Sequence, residues 1–498
     1  MAFKDLREWI EVLEAEGELK RVKAQVDWNL ELGGIVQKIF DTEGPSLLFE
    51  NIKGHRDTAC TRLFTASNST YPRIALMMGL PKETPVRKLI ETFMERIDRR
   101  IPPKRVKSGP CQENIMKGKD VNLLQFPAPK WHPEDGGRAF NTYGAVITKD
   151  PETKWINVGL YRMMVHDERN LGALILPSSH WGQHFAKYAK MNQPMPVAVV
   201  NGWDQALPVI GATSLPATTD DYEVVGGLRG KPVELVRCET VDLEVPASAE
   251  IVVEGTINPD PATFRMEGPF GEYTGTYGGW PSKRPVLAVQ CVTYRNNPVF
   301  QGTMEGFPIN EDHRVASIAT SAMNWKGLIV AGVPGVTGVF NPPSSSGWTN
   351  TYVQIENRYQ GHARQVANAL WGLRLSYISS KHVMVVDTDI DIFDFAALDY
   401  ALAYRVDAER SIVIMPGCAG SPLDPIADPN KKDLAIHGAA RWNRMLIDAT
   451  IPFDWEPRPQ WHGRRYPPSA YPSRELMERV EKRWKEYGLG PLKKRSTE

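Results

Sequence analysis

The stretch Pro285-Val-Leu-Ala-Val-Gln-Cys-Val-Thr-Tyr294 predicts a long β-strand, because β-branched residues recur in it and no Gly or further Pro interrupts it. Shorter runs of the same kind occur at 143–148 (Tyr-Gly-Ala-Val-Ile-Thr) and 250–256 (Glu-Ile-Val-Val-Glu-Gly-Thr). Between residues 122 and 307, Gly and Pro residues separate these runs. Short strands separated by such turn residues are typical of β-barrels and β-sandwiches. The middle of the chain is therefore predicted to be a barrel-type β domain with one helical insertion at 182–191.

The segment before this domain alternates between helical and strand-like patterns. Residues 3–13 place apolar side chains at helical spacing among charged ones, which predicts an amphipathic helix. The Pro-, Lys- and Gly-rich stretch 101–110 is a plausible domain boundary. After the β domain, residues 310–326 contain few helix breakers, so a linking helix is predicted there.

The last third of the chain has the pattern of an α/β layer. Helices are predicted over 357–373 and 393–405, and buried strands over 382–387 and 411–415. This alternation is typical of helices packed on a sheet. A final helix is predicted over 473–487, after a tract rich in Pro, Trp and Arg.

The fold class that follows is α+β and α/β in several domains. The 498 residues allow about three domains at roughly 150 residues each. The predicted segments are an N-terminal α/β domain (1–115), the β domain (116–308), a linking helix (309–327), a C-terminal α/β domain (328–455) and a tail with a helix (456–498).

Composition excludes several classes of function. Lys plus Arg and Asp plus Glu both number 59, so a nucleic-acid surface or an anionic membrane is not expected as a partner. No stretch approaches the ~18 apolar residues of a membrane-spanning helix, and the charged N-terminus lacks the apolar run of a signal peptide. The five cysteines are odd in number and widely spaced, which predicts reduced thiols in a cytoplasmic protein.

The motif Glu267-Gly-Pro-Phe-Gly-Glu272 places two carboxylates either side of a turn shaped by Gly and Pro. Two acids held close together can differ in pKa, so that one of them donates a proton at neutral pH. The alternative is a surface turn with two solvated acids. Sequence alone leaves both possibilities open.

The segment Asn157-Val-Gly-Leu-Tyr-Arg162 supplies a possible cationic partner for these acids. Strand alternation puts Asn157 and Arg162 on opposite faces unless the chain bulges at Gly159. Arg162 has apolar neighbours, so if buried it needs an anionic partner, which a purely structural ion pair would also provide. Because a guanidinium group matches carboxylate geometry, Arg162 with Glu267 and Glu272 is the candidate catalytic triad.

Three other side chains form a candidate metal site. His180 and His184 have i, i+4 spacing behind Ser179, but the HExxH pattern of zinc proteases is absent. Asn157, His180 and Asp221 together offer an amide oxygen, an imidazole and a carboxylate, a mixture that suits Mg²⁺ or Mn²⁺. The common nucleotide-binding fingerprints are also absent, although FMN is bound by proteins that lack them.

The motifs at 157–162, 176–180 (Leu-Pro-Ser-Ser-His), 225–236 (Val-Gly-Gly-Leu-Arg-Gly-Lys-Pro-Val-Glu-Leu-Val), 267–272 and 389–391 (Asp-Ile-Asp) resemble, in this order, those of the UbiD-like decarboxylases. The resemblance covers essentially the whole chain. It implies a prenylated-FMN enzyme that removes, or adds, carbon dioxide on aromatic, heteroaromatic or α,β-unsaturated acids. It also implies a split β-barrel of flavin-reductase type, joined by a long helix to an α/β oligomerisation domain.

The resemblance assigns a role to each candidate residue. It implies that Arg162, Glu267 and Glu272 form the catalytic network, with Glu272 as proton donor. Asn157, His180 and Asp221 would hold Mn²⁺ (or Mg²⁺) at the cofactor phosphate, with K⁺ nearby; the family usually has Glu at the position of Asp221. The cofactor-binding residues implied are Asn157, Leu160, Arg162, Ser179, His180, Ser214, Asp221 and Lys381. The substrate-pocket residues implied are Thr303, Met304, Asp312, His313, Ala316 and Leu423.

Partners and alternatives follow from the same resemblance. A flavin prenyltransferase would supply the cofactor, and the enzyme would form a homodimer or homohexamer. The small Ala316 favours an aromatic or heteroaromatic acid such as a hydroxybenzoate over a cinnamic acid, and a CoA-linked acid remains open. A plain-FMN oxidoreductase would not need Arg162 beside two glutamates. A non-catalytic carboxylase subunit would require loss of a motif residue, and only Asp221 departs from the pattern.

Overall fold

The computed structural model describes residues 3–278, 281–432 and 437–490, and an eight-stranded antiparallel sheet lies at its centre. Seven strands lie side by side in the order Ile156–Gly159, Ala145–Lys149, Met195–Asn201, Ile251–Ile257, Val286–Tyr294, Asn170–Ala173 and Met163–Asp167. The eighth strand, Asn114–Lys117, pairs with residues 291–294 of Val286–Tyr294. The strand predicted at 285–294 is thus confirmed, and it contacts three neighbours in the sheet.

This sheet curls into a half-barrel. Its two edge strands, Ile156–Gly159 and Met163–Asp167, are consecutive in the chain and are joined by only three residues, so the edges lie close together. A shift of register at Glu254/Gly255 marks a β-bulge, which increases local twist. A side chain at Gly255 would place its Cβ 2.2 Å from the carbonyl oxygen of Ala288. The glycine therefore permits the close approach of two strands on which the curl depends.

The N-terminal part forms a smaller sheet on which helices pack. Its strands are Leu19–Val22, Ser46–Phe49, Arg62–Thr65 and Val299–Gln301. Its helices are Leu6–Ala15, Glu31–Asp41, Tyr71–Met77 and Val86–Ile97. The fourth strand comes from the end of the predicted middle domain and pairs in parallel with residues 62–64. The two sheets are therefore joined by the short connection between Tyr294 and Val299.

A buried carboxylate fixes this connection. Glu250 is fully buried, and it accepts hydrogen bonds from Arg7 Nε (2.8 Å), Arg295 Nη1 (3.0 Å) and the amide of Val299 (3.0 Å). Arg7 lies in the first helix, which is confirmed at residues 6–15. Because a buried carboxylate needs such partners, these bonds tie the first helix to both sheets.

The predicted linking helix is confirmed as Glu311–Val330. It begins with a capping box, in which the Asn310 side chain accepts from the His313 amide and the His313 ring accepts from the Asn310 amide. The helix is buried over most of its length. Such all-round burial explains why an amphipathic pattern is weak in its sequence.

The C-terminal part is a five-stranded mixed sheet with helices. In spatial order its strands are Val336–Phe340, Asn350–Ile355, His382–Asp387, Ala440–Ala449 and Ile412–Gly420. Its helices are His362–Gly372, Phe395–Arg405 and Ala408–Ser411. The central pairs are parallel and both edge pairs are antiparallel. The predicted strand 382–387 is confirmed at the same residues, and the helix predicted from 393 begins at 395 because Asp394 caps it.

The remaining elements connect and cover these sheets. Helices lie at His180–Lys190, Ala206–Gly211, Asp221–Arg229 and Arg474–Lys482. Short strands lie at Lys104–Arg105, Glu234–Arg237, Glu244–Pro246, Arg265–Glu267, Phe270–Gly271, Tyr277–Gly278 and Ser282–Arg284. Residues 491–498 of the predicted C-terminal tail lie outside the described part. Within the described part, none of the helices combines the length and apolarity needed to cross a bilayer.

Candidate active site

A cavity of about 210 Å³ opens between the half-barrel, the first turn of the linking helix and the C-terminal part. Most of the residues that the sequence singled out lie in its wall. They are Asn157, Leu160, Arg162, Ser179, His180, Ser214, Asp221, Glu272, Asp312 and Leu423. The structure therefore brings together residues that are up to about 270 positions apart in the chain.

The link between the two edge strands places Arg162 in this cavity. The first edge strand ends at Gly159, and the Leu160 amide then donates to the carbonyl of Gly211 (3.0 Å) rather than to a strand. Strand alternation would put Asn157 and Arg162 on opposite faces, but both line the same cavity. The alternation of side chains between the two faces does not apply here, because residues 160–162 are not part of a strand.

Arg162 is held between two buried glutamates. Its Nε and Nη2 donate to Glu272 Oε1 (3.1 and 2.9 Å), and its Nη1 donates to Glu267 Oε1. The three side chains are only 9%, 5% and 3% exposed for Arg162, Glu272 and Glu267. The guanidinium group also lies 4.5 Å from the ring centre of Phe270. The geometry therefore contradicts the alternative of a solvated surface turn.

The turn that carries the two glutamates is braced on both sides. Glu267 ends a short strand paired with Ser282–Arg284, and Phe270–Gly271 pairs with Tyr277–Gly278. The Gly271 amide donates to Asp135 Oδ1 (3.0 Å). Because Glu267 ends one ladder and Glu272 directly follows the other, each carboxylate approaches Arg162 from its own side.

The acids of this end of the cavity have raised pKa values. Burial raises the pKa of Glu272 above its ordinary value; Arg162 opposes this rise and Glu267 adds to it. Burial also raises the pKa of Asp312 to about 7, and the charge of Glu272 contributes. A carboxyl group with a raised pKa can carry a proton at neutral pH and act as an acid.

The opposite end of the cavity collects possible metal ligands. Asp221 is the first residue of helix Asp221–Arg229, and its Oδ2 accepts from the Val158 amide (2.8 Å). Its other oxygen, Oδ1, is buried without a hydrogen-bond partner, and so is Nε2 of His180. Burial and the charge of nearby Arg374 lower the pKa of His180 to about 3, so the ring is neutral, as a metal ligand requires.

Asn157, His180 and Asp221 all line the cavity. Together their side chains offer ligand atoms that fit a divalent cation. Two oxygens and one imidazole nitrogen are the ligand types that Mn²⁺ and Mg²⁺ accept. Within the described residues, no group of three or more His, Cys, Asp or Glu side chains is arranged to hold a metal. Asn157, whose side chain carries an amide oxygen, is the third candidate ligand in the cavity wall.

The same end can hold a phosphate. Helices His180–Lys190 and Asp221–Arg229 both begin in the cavity wall, and helix N-termini favour anions. Arg374, which sequence reasoning missed, also lines it, and its guanidinium donates to the carbonyls of Leu215 (2.8 Å) and Ser178 (3.4 Å). Arg374 thereby connects the two loops that carry Ser179 and Ser214.

His184 has a different environment from His180. Both rings contact Trp155, with centres 4.6 Å apart for His180 and 4.8 Å for His184. His184 Nδ1 hydrogen-bonds Thr148 Oγ1 (2.9 Å), and the residue does not contribute to the cavity wall. Of the two histidines, His180 therefore lines the cavity, whereas His184 is packed against Trp155 and bonded to Thr148.

Several predicted residues lie outside the cavity wall. Thr303 and Met304 are buried beside it, and Ala316 packs behind Tyr273 and Trp348. His313 caps the linking helix and bonds the Tyr273 carbonyl through Nε2 (2.7 Å).

Lys381 also lies away from this cavity. Its Nζ donates to Asp424 (2.7 Å), and it lines a neighbouring cavity of about 250 Å³. Arg374, and not Lys381, therefore lies in the wall of the main cavity.

Glu305 is a further acid in the cavity wall that sequence reasoning missed. Burial raises its pKa well above the ordinary value, and Asp312 and Glu272 add to the rise. The feature of the sequence that could have identified Glu305 is its position. It is an isolated charge between Gly302 and Gly306, next to the predicted pocket residues 303–304. An isolated acid in a loop is usually solvated, so Glu305 could not be selected from the sequence alone.

Comparisons with known proteins identify the family to which the chain belongs. Three family models match, described as the N-terminal domain (10–93), the Rift-related domain (104–308) and the C-terminal domain (313–449) of 3-octaprenyl-4-hydroxybenzoate carboxy-lyase. An uncharacterised protein of Aquifex aeolicus is 33% identical, with 98% of this chain and 99% of that protein covered.

Two solved structures are similar over nearly their whole length. The UbiD-class enzyme HmfF from Pelotomaculum thermopropionicum, in complex with FMN, is 30% identical with a TM-score of 0.81, covering 96% of this chain and 99% of that one. Vanillic acid decarboxylase from Sedimentibacter hydroxybenzoicus, in its closed form, is 31% identical with a TM-score of 0.86, covering 98% and 100%. The chain therefore belongs to the UbiD family of carboxy-lyases.

Proposed function

We propose that this protein is a prenylated-FMN-dependent decarboxylase, acting reversibly on an aromatic or heteroaromatic carboxylic acid. The observation that carries the proposal is the buried Arg162 in the cavity wall, which bridges Glu267 and Glu272. A guanidinium group recognises a carboxylate, and an acid with a raised pKa can protonate carbon. FMN and prenylated-FMN complexes of the relative HmfF support the choice of cofactor.

The cavity has the residues that such a cofactor would need. Asn157, His180 and Asp221 would hold Mn²⁺ or Mg²⁺ beside the cofactor phosphate, since His180 Nε2 and Asp221 Oδ1 are buried without partners. Ser214 and Arg374 would approach the phosphate, and K⁺ would lie near Ser214. When bound, prenylated FMN supplies the electron sink that no side chain can provide for a carbanion. The half-barrel would act as the split barrel that holds it.

The residues at the acidic end have separate tasks in the reaction. Arg162 binds the substrate carboxylate, and Glu267 orients Arg162 through the bond to Nη1. The C–CO₂ bond breaks, carbon dioxide leaves, and Glu272 transfers its proton to the carbon that held the carboxylate. The balance is one carboxylate and one proton consumed for one C–H bond and one carbon dioxide formed. Solvent then returns a proton to Glu272.

The proposal includes a flavin prenyltransferase as supplier of the cofactor and a homodimer or homohexamer as the assembly. Apolar side chains are exposed on the edge strand Ile412–Gly420 and on helix Phe395–Arg405, with Ile414 61% and Tyr404 68% exposed. An evolved form of HmfF that is dimeric supports an oligomer. Exposed apolar side chains on a sheet edge are typical of a surface that another subunit covers.

The metal assignment is tested by replacing His180 with alanine. We expect the purified His180→Ala protein to contain less than about one tenth of the wild-type Mn and flavin, because a ligand at the cofactor phosphate is lost. Metal content is measured by mass spectrometry and flavin by absorbance. His184→Ala is the matched control, since it also removes a buried imidazole next to Trp155 but not one in the cavity wall. Full loading of His180→Ala would contradict the assignment.

The reaction class is tested with a panel of carboxylic acids. Protein is produced with and without co-expression of a flavin prenyltransferase, and release of carbon dioxide from hydroxybenzoic, heteroaromatic and cinnamic acids is measured. We expect turnover of at least one aromatic acid, and only after co-expression. Equal rates in both preparations would show that the prenyl group has no role.

A further inference from the structure

A second turn, residues 132–136, supports the turn that carries Glu272. Asp135 in this supporting turn is only 3% exposed, and its Oδ1 accepts a hydrogen bond from the Gly271 amide (3.0 Å), directly before Glu272. Its Oδ2 accepts from the His132 amide (2.9 Å) and lies 3.2 Å from His132 Nδ1. Because both oxygens of this buried carboxylate have partners, its place against the chain is defined.

The two turns are also in direct backbone contact. The Gly136 amide donates to the carbonyl of Pro269 (2.8 Å). A side chain at Gly136 would place its Cβ 2.3 Å from the carbonyl oxygen of Gly268. The supporting turn therefore contacts the segment between the two glutamates at Gly268, Pro269 and Gly271.

The imidazole ring of His132 packs between the two segments that carry Glu272 and Glu305. A Cβ at Gly271, which precedes Glu272, would lie 2.6 Å from ring Nδ1. A Cβ at Gly306, which follows Glu305, would lie 2.9 Å from ring Nε2. Glycine at these two positions leaves the room that the ring occupies. The ring thereby keeps the two acid-bearing segments at a fixed spacing.

Asp135 is one of several charged or titratable groups that face Glu272. The others are Arg162, Glu267, Tyr273, Glu305 and Asp312. The charge of Arg162 favours the ionised form of Glu272, whereas the charge of Asp135 favours the protonated form and contributes to the raised pKa of Glu272. Asp135 is not among the described residues that line the main cavity, so it acts on Glu272 without contacting a ligand there.

We propose that Asp135 is a positioning residue for the proton donor and that His132 holds Asp135 in place. Asp135 fixes the Gly271 amide, and with it the direction in which the chain enters Glu272. Its negative charge also keeps the proton on Glu272 to higher pH. This inference rests on the proposed function, because it takes Glu272 as the proton donor.

The first test measures the titration of Glu272 in protein made without the prenyltransferase. Infrared spectroscopy detects the carbonyl stretch of a protonated carboxyl group. The signal of Glu272 is the difference between the wild-type protein and Glu272→Gln at each pH; in the Asp135→Asn background it is the difference between that variant and the double variant. We expect the signal to disappear at lower pH in Asp135→Asn than in wild type, because a like charge is removed while a carbonyl oxygen remains for the Gly271 amide.

The second test measures turnover of the protein loaded with cofactor. We expect Asp135→Ala to lower kcat by about 10²-fold, because a displacement of a catalytic group by about 1 Å costs that much in rate. KM should be nearly unchanged, since Arg162 still meets the substrate carboxylate. Asp135→Asn keeps an acceptor for the Gly271 amide and should recover part of the loss. The descending limb of its pH profile should lie at lower pH than that of wild type.

Asp204→Asn is the matched control. Asp204 is 2% exposed, and its two oxygens likewise accept from a backbone amide (Ala206, 2.8 Å) and from a side chain (Arg229 Nε, 2.7 Å). It is not among the described residues of the cavity wall either. This variant should lose stability, because Arg229 loses a buried partner, but it should shift neither the infrared titration of Glu272 nor the pH profile.

The outcomes separate this inference from the proposed function. An unmoved titration of Glu272 in Asp135→Asn, or wild-type turnover of Asp135→Ala, overturns the inference and leaves the proposed function intact. Failure of both Asp135 variants to fold also overturns it, because the role of Asp135 would then be purely structural. If the infrared shift is seen but the wild-type protein turns over no acid, the proposed function is overturned and the link between Asp135 and Glu272 stands.

Discussion

Replacing Glu272 with glutamine is expected to lower turnover by about 10²-fold or more while flavin remains bound. Glutamine keeps the shape of the side chain and can still accept a hydrogen bond from Arg162, but it has no proton to give to carbon. Glu272 bonds Arg162 and is not one of the candidate metal or phosphate residues, so cofactor content should not change. Single-turnover rates and flavin absorbance of the same preparation measure the two quantities.

The dependence of wild-type turnover on pH is a second test of Glu272 as the proton donor. Burial raises the pKa of Glu272 above its ordinary value of 4.5, so the folded enzyme keeps the proton to higher pH than a free glutamate would. Turnover should be full below this raised pKa and lost as the pH rises through it. The descending limb should be absent from the residual activity of Glu272→Gln. Glu168→Gln, which changes an exposed acid, is the control and should behave as wild type.

Replacing Arg162 with methionine is expected to abolish measurable turnover and to lower the free energy of unfolding by about 3–5 kcal/mol. Methionine fills a similar volume but leaves Glu267 and Glu272 buried without their shared cation. It also removes the group proposed to bind the substrate carboxylate. Urea unfolding followed by fluorescence measures the first effect, and carbon dioxide release measures the second.

Arg162→Lys separates the catalytic role from the structural one. Lysine keeps the positive charge, so the loss of stability should be smaller than with methionine. An ammonium group cannot donate to Glu267 and Glu272 in the forked geometry seen for Nε, Nη1 and Nη2, so turnover should still fall by about 10²-fold. A lysine variant with wild-type activity would show that the fork is not needed, and that the ion pair is purely structural.

The sequence was sufficient for the elements with strong local signals. The strand at 382–387 was predicted at the residues where it occurs, and the linking helix was predicted within a few residues, because apolar runs and helix breakers act locally. The motifs at 157–162 and 267–272 likewise identified the main site residues. Their meeting in space is a tertiary property that the resemblance to a family, not the periodicity, supplied.

Other features could not be predicted, because they depend on distant contacts. Val299–Gln301 pairs with residues 62–64, more than 230 positions away, and no local pattern specifies that partner. The position of Arg162 depends on where the ladder stops, at Gly159. Glu305 and Arg374 become site residues only because separate segments close around one cavity.

The mass of the released cofactor tests the central claim most directly. Protein co-expressed with a flavin prenyltransferase is purified and denatured, and the small molecule that it releases is identified by mass spectrometry together with its absorbance spectrum. The account predicts the mass of prenylated FMN, in near-stoichiometric amount. Plain FMN that persists despite co-expression, or no flavin at all, would contradict it.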